Sequence, residues 1–147
     1  MIHRIPLKLI NIDQDGYHLF IDCWINGKKA NMLVDTGASK TVFDLNRVDL
    51  FFEKKKRKSK IKDKLSTGLG TNSMESSFVR LEEFEISGIT FWNYQAILLD
   101  MSHVNQSYSL LKLPAVDGVI GCDILSDYKA VIDFDKKIMK LKDSFNG

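Results

Sequence analysis

The chain has 147 residues, 44% of them hydrophobic and 27% charged, and its 21 basic and 19 acidic residues give a net charge of +2. That is the length of one globular domain, residues 1–147, and the composition excludes collagen-like, low-complexity and wholly disordered chains. No apolar run approaches the ~20 residues that cross a bilayer. The opening MIHRIPLKLINID lacks the apolar core and small-residue cleavage site of an export signal. The expectation from sequence is therefore a cytoplasmic protein without a membrane partner.

Turn signals recur at short intervals, which predicts a mostly β chain. Ile5–Ile10 reads as a first short strand and Asp13-Gln14-Asp15-Gly16 as a loop. In Tyr17–Ile25 the residues Tyr17, Leu19, Ile21, Cys23 and Ile25 share one face, with Phe20 and Trp24 on the other. Asn26-Gly27 is a type I′ hairpin signal, because both central residues of that turn need positive φ. The returning strand Lys28–Val34 runs into Asp35-Thr36-Gly37. Thr41–Phe43 reads as another strand, after which Asp44 is placed to cap a short helix reaching Phe52, with Leu45, Val48 and Phe52 on one side.

A basic run, KKKRKSKIKDK, occupies residues 54–64. It holds eight of the 21 basic residues and one of the 19 acidic ones, so the remainder is net −5. It reads as a solvated basic loop outside the barrel. It has no interleaved aromatics and no nucleic-acid-binding motif, which argues against a nucleic-acid partner. Leu65–Phe78 is rich in Gly, Ser, Thr and Asn. Val79–Ile86 and Ile89–Leu99 read as strands around Ser87-Gly88, and Met101–Pro114 as a long polar connection. Val119-Ile120 is a short strand ended by Gly121, and Asp123 is placed to cap a helix over Ile124–Tyr128. Ala130–Phe134 and Ile138–Leu141 form a last hairpin across Asp135-Lys136. There is no internal repeat, so the chain carries a single Asp-Thr-Gly.

Other groups offer less chemistry. His3, His18 and His103 are scattered, without metal-ligand spacing. Cys23 and Cys122 lack a CxxC partner and sit in apolar contexts that suit buried free thiols, although one bridge between them stays open. Gly68-x-Gly70 lacks the third glycine and the strand–helix frame of a dinucleotide site. Asp133 and Asp135 fit a solvated hairpin, and Trp24 and Trp92 a core or an interface. No metal and no cofactor is expected.

The informative segment is Leu33-Val34-Asp35-Thr36-Gly37-Ala38-Ser39. An apolar strand delivers a carboxylate into a tight turn where glycine allows close backbone approach. Burying that carboxylate is costly unless it is hydrogen-bonded or neutralised. Asp-Thr-Gly alone is a common turn tripeptide. Here it is followed in order by the Gly-rich Gly68-Leu69-Gly70 and by Asp117-Gly118-Val119-Ile120-Gly121-Cys122-Asp123-Ile124-Leu125.

In that ordered pattern the chain resembles the retropepsin-like aspartic proteases, single-domain relatives of retroviral protease, over nearly its whole length. The resemblance implies an all-β fold, a small closed or partly open barrel with one or two short helices. It implies that Asp35 is the catalytic aspartate and that Thr36 braces paired active-site loops across a two-fold axis. Gly37 would let substrate backbone approach, and Ala38 and Ser39 would support the active-site turn. Gly68, Leu69 and Gly70 would form the tip of a flap hairpin spanning about 65–78. Val119, Ile120 and Gly121 would pack beside the catalytic loop, with Asp123 at the Asn/Asp position that follows. Two departures stand out: retroviral members commonly have an acidic residue where Ser39 stands and an arginine where Cys122 stands.

Peptide hydrolysis of this kind uses a water held between two carboxylates that share one proton. One chain supplies one aspartate, so the implied enzyme is a homodimeric aspartic endopeptidase acting on a peptide or protein substrate. The alternative from a different class is a non-catalytic dimerisation or peptide-binding module on the same fold.

Overall fold

The computed structural model describes residues 1–12, 16–53, 61–65 and 74–143. In chain order the elements are β1 (Ile2–Pro6), β2 (Lys8–Asn11), β3 (Tyr17–Ile25), β4 (Lys28–Val34), β5 (Val42–Asp44), a 3₁₀ turn (Val48–Phe51), β6 (Ile61–Leu65), β7 (Met74–Ile86), β8 (Ile89–Leu99), α1 (Ser102–Leu110), β9 (Gly118–Ile120), α2 (Cys122–Asp127), β10 (Val131–Asp133) and β11 (Ile138–Lys142). The hairpins follow from local chemistry. Asn26 and Gly27 take φ of 51° and 80°, and Ser87 and Gly88 take 42° and 92°, the left-handed pairs that match strand twist in two-residue turns.

One sheet runs β2-β3-β4-β9-β5-β8-β7-β6, and a further β3–β7 pairing closes six of its strands into a barrel. Closure works because β3 shares one edge between two partners. Tyr17–Phe20 pair with β2, whereas Trp24 and Ile25 pair with Glu85 and Phe84 of β7. A barrel removes the unpaired edges that an open sheet would expose. A separate sheet of order β1-β11-β10 brings the two ends of the chain together.

The barrel interior is filled by inward residues of alternating strands. Phe43 meets Phe84 edge to face at 5.2 Å between ring centroids, and Phe84 stacks on Phe91 at 5.6 Å. A second cluster joins Phe20, Met101, Tyr108, Val116 and Val119 beneath α1. Cys23 and Cys122 are both free thiols; burial pushes the Cys23 thiol well above its usual range.

Several elements differ from the sequence reading. Ile5–Ile10 is two strands in two sheets, broken at Leu7, whose buried side chain and bond from its N–H to Lys137 O turn the chain between them. Met101–Pro114 is not wholly a connection, since it contains α1. The helix escaped detection because only Tyr108 of its nine residues is buried, so no apolar stripe marks it. Bonds from outside the helix hold it: Asn105 Nδ2 donates to Val116 O, and Asn105 Oδ1 accepts from Val116 N–H.

Asp44 does not cap the helical turn, whose N-cap, Arg47, makes no side-chain cap bond. Its carboxylate, 1% exposed, instead accepts from the Met101 and Asn46 N–H groups and from Asn105 Nδ2. Asp123 likewise lies inside the first turn of α2, where Gly121 is the N-cap. The basic run is not wholly a loop, since its end, residues 61–64, belongs to β6, although β6 stands beyond β7 and outside the six closed strands; residues 54–60 fall outside the described residues. Trp24 and Trp92 are not core residues, being 36% and 68% exposed on the outer face.

Gly118 of β9 stands between β4 and β5, where no side chain fits. A Cβ there would stand 2.5 Å from Val42 O and 2.7 Å from Met32 Cε. The expected result for Gly118→Ala is a loss of about 1–3 kcal/mol, because one neighbour is backbone and cannot swing away. Denaturant unfolding against wild type measures it.

Candidate active site

The parallel pairing of Leu33 and Val34 with Val119 and Ile120 delivers the chain into the Asp-Thr-Gly turn. Asp35 N–H donates to Ile120 O at 3.1 Å, which extends the ladder by one bond. The turn then closes on itself. Gly37 N–H donates to Asp35 Oδ1 at 2.8 Å, and Ala38 N–H donates to Asp35 O at 3.1 Å. The first of these is an Asx turn, the local motif by which an aspartate side chain orders the backbone after it. A Cβ on Gly37 would sit 3.2 Å from Asp35 Oδ1, closer than most real contacts of this kind.

The segment after β9 locks this turn from behind. Cys122 N–H donates to Ala38 O at 2.8 Å, and its thiol lies 3.0 Å from Thr36 O. Gly121 approaches so closely that a Cβ would lie 2.6 Å from the Lys40 carbonyl. Thr41, 1% exposed, is the centre of the lock. Its N–H and hydroxyl both donate to Asp123 Oδ1, at 2.9 and 2.7 Å, while the same hydroxyl accepts from Gly121 N–H at 3.0 Å. Asp123 Oδ1 also accepts from Ile124 N–H at 2.8 Å. Burial, and then the negative charge of Asp123, pushes the Tyr94 hydroxyl up to about 12.

The structure thus brings together Asp35, Thr36, Gly37, Ala38, Val119, Ile120, Gly121 and Asp123. Ser39 is an exposed neighbour on the same loop. Gly68, Leu69 and Gly70 lie outside the described residues. The strands flanking them do pair, from Ile61 with Phe78 to Leu65 with Met74, so this hairpin begins at Ile61 rather than near residue 65.

One expectation is corrected. Asp35, Thr36 and Gly37 are exposed on the single chain, so the carboxylate is not buried there. Leu33 and Val34 are the apolar part of that strand end, and the strand stops as the turn reaches solvent. The carboxylate sits in an open depression of about 350 Å³ with Tyr17, Leu19, Leu33, Val34 and Phe134 as its largely apolar walls and with Thr36 and His18 beside it.

Sequence reasoning missed Thr41 as a brace and His18 as a wall. Thr41 is joined to a carboxylate 82 positions away, and no local pattern reports such a contact. Among the described residues no group of His, Cys, Asp and Glu could hold a metal ion, and no helix is long and apolar enough to cross a membrane.

The brace has a measurable weight. Thr41→Val removes the hydroxyl and leaves buried Gly121 N–H without its acceptor, so a loss of about 1–3 kcal/mol is expected. Thr41→Ser keeps the hydroxyl and should lose less. Comparing the two unfolding midpoints separates the hydrogen bonds from the methyl packing.

Comparison with known proteins agrees with this geometry. None of the curated proteins matches the chain. Among solved structures, a retropepsin-like aspartic protease from Rickettsia conorii is 23% identical with a TM-score of 0.52, over 96% of this chain and 91% of that one. The retroviral protease-like domain of Ddi1 from Leishmania major is 15% identical with a TM-score of 0.54, over 87% of this chain and 90% of that one. At these identities both likenesses speak to the fold. A family model described as aspartyl protease matches residues 21–124, a span that contains the Asp35 turn and the Gly118–Asp123 segment that braces it. The chain belongs to the aspartyl protease family and has the retropepsin-like fold.

Proposed function

We propose that this protein is an aspartic endopeptidase whose active site forms between two copies of the chain. The observation that carries the reading is the Asp35 carboxylate, ordered by Gly37 N–H yet open to solvent at the floor of a depression. Each chain offers one such carboxylate. Its exposed turn, with Thr36 and Gly37 also uncovered, leaves room for the same turn of a second copy to meet it across a two-fold axis.

The chemistry follows from two carboxylates at contact distance. They do not both ionise readily, so the pair holds one proton between them, and its titration belongs to the pair. The ionised oxygen takes a proton from a bound water. The protonated carboxyl donates to the oxygen of the scissile carbonyl as that water attacks its carbon. The tetrahedral intermediate then collapses, breaking the C–N bond as the leaving amine gains a proton. In this reading Thr36 braces the two loops, and Gly37 admits the substrate backbone. Gly68, Leu69 and Gly70 form the tip of the flap over the substrate, and no cofactor takes part.

Asp35→Asn removes the shared proton from this scheme. Cleavage of peptide substrates by the purified variant is expected to fall by about 10²–10⁴-fold while the fold is kept. Specific activity of wild type should rise with protein concentration below the dimer dissociation constant and level off above it. Adding about a ninefold excess of Asp35→Asn chains, with time for exchange, should cut wild-type activity to about a tenth by drawing wild-type chains into one-carboxylate dimers. Undiminished cleavage by Asp35→Asn would overturn the catalytic assignment. A dimer that binds peptides but cleaves none across acidic and neutral pH would identify a binding module instead.

A further inference from the structure

The walls of the Asp35 depression include an imidazole that the two-carboxylate chemistry does not use. His18 stands on β3, and the β3–β4 register pairs Phe20 with Leu33. Two residues further along, His18 is therefore level with Asp35, and both line the same depression.

The His18 ring is held in place by a contact with α1. Its Nδ1 lies 2.6 Å from the Tyr108 hydroxyl oxygen. Tyr108 is 4% exposed on α1 and packs edge to face on Phe20, with ring centroids 5.9 Å apart. Among the described residues, Nδ1 is the hydrogen-bond partner of that hydroxyl. With that O–H donating to Nδ1, the N–H of the ring is on Nε2. Among the described residues Nε2 has no hydrogen-bond partner, and His18 is only half-buried. In that tautomer Nε2–H is a donor on a residue that lines the depression together with Leu19, Leu33 and Val34.

Resting on the protease reading above, we propose that His18 is a specificity-determining residue, positioned by Tyr108, that selects substrates with an asparagine or glutamine side chain close to the scissile bond. Its Nε2–H donates to the side-chain carbonyl of that residue. A neutral acceptor is favoured over aspartate or glutamate because a further negative charge here would face the Asp35 carboxylates. An aliphatic side chain of equal size fills the pocket but leaves the donor unpaired, which penalises it.

The test is a cleavage profile of the intact wild-type protein on peptides that differ at one position, carrying Asn, Gln, Asp, Glu or Leu within two residues of the scissile bond. Wild type is expected to favour Asn or Gln over Leu at one such position. In His18→Leu the ratio of kcat/KM for the carboxamide peptide over the Leu peptide should fall about tenfold, the worth of one hydrogen bond. His18→Gln, which keeps an N–H donor, should recover part of that ratio. Tyr108→Phe keeps the ring packing and frees the imidazole, so it should lower the ratio by a smaller factor; it carries the test if His18→Leu does not fold. A ratio unchanged in these variants, or a wild type that prefers Leu, Asp or Glu at every such position, overturns the His18 assignment and leaves the protease reading standing. No cleavage of any peptide overturns both.

Discussion

Two stretches of chain 82 positions apart meet at the Asp123 carboxylate, and the geometry around Asp35 depends on that meeting. Thr41 gives Asp123 its N–H and its hydroxyl, and Gly121 gives its N–H to the Thr41 hydroxyl. A carboxylate that accepts several N–H and O–H bonds is stabilised in its charged form and loses most if any donor is removed. The contact joins the end of the Asp35 loop to the start of α2, so the turn between them cannot drift. The strand ladder fixes the same turn from the other side, through Asp35 N–H and Ile120 O. The Asp35 carboxylate, the reacting group in the proposed reading, thus emerges from a turn held at both ends, the arrangement that precise positioning of such a group requires.

Rigidity behind the turn contrasts with openness in front of it. Asp35 is exposed on the single chain, so isolation in a low-dielectric site cannot be what shapes its chemistry there. In the proposed reading that isolation arises only when a second copy and a substrate cover the turn, which couples desolvation to assembly. The free chain then avoids holding a buried charge, and the carboxylates come into contact where their proton sharing is used.

Much of the fold was legible in the sequence, because hairpins announce themselves locally. Asn26-Gly27 and Ser87-Gly88 carry their turn types in two residues, and the alternation in Tyr17–Ile25 and the return from its turn through Lys28–Val34 mark strands with the right bounds. The Asp-Thr-Gly and Gly118–Asp123 segments were found by order along the chain, and the structure sets them side by side. What stayed hidden depends on distant partners. Helix α1 has one buried residue and is held by Asn105 bonds to Val116 and Asp44. Asp44 and Asp123 look like helix caps from their neighbours in sequence but serve backbone groups across the fold. Thr41, Tyr108 and His18 matter only through contacts that span 82 and 90 positions. The exposure of Asp35 was missed because an apolar strand leading into a carboxylate reads as burial, whereas here the strand stops as the turn reaches solvent.

The central claim is that one active site is built from two chains, and binding stoichiometry tests it most directly. A peptide mimic with a hydroxyl in place of the scissile carbonyl, of the pepstatin type, should bind tightly between paired carboxylates because it resembles the transition state. Calorimetric titration of the wild-type protein, at a concentration where it is dimeric, is expected to saturate at one inhibitor per two chains. Saturation at one inhibitor per chain would contradict the account, since each chain would then hold a complete site of its own.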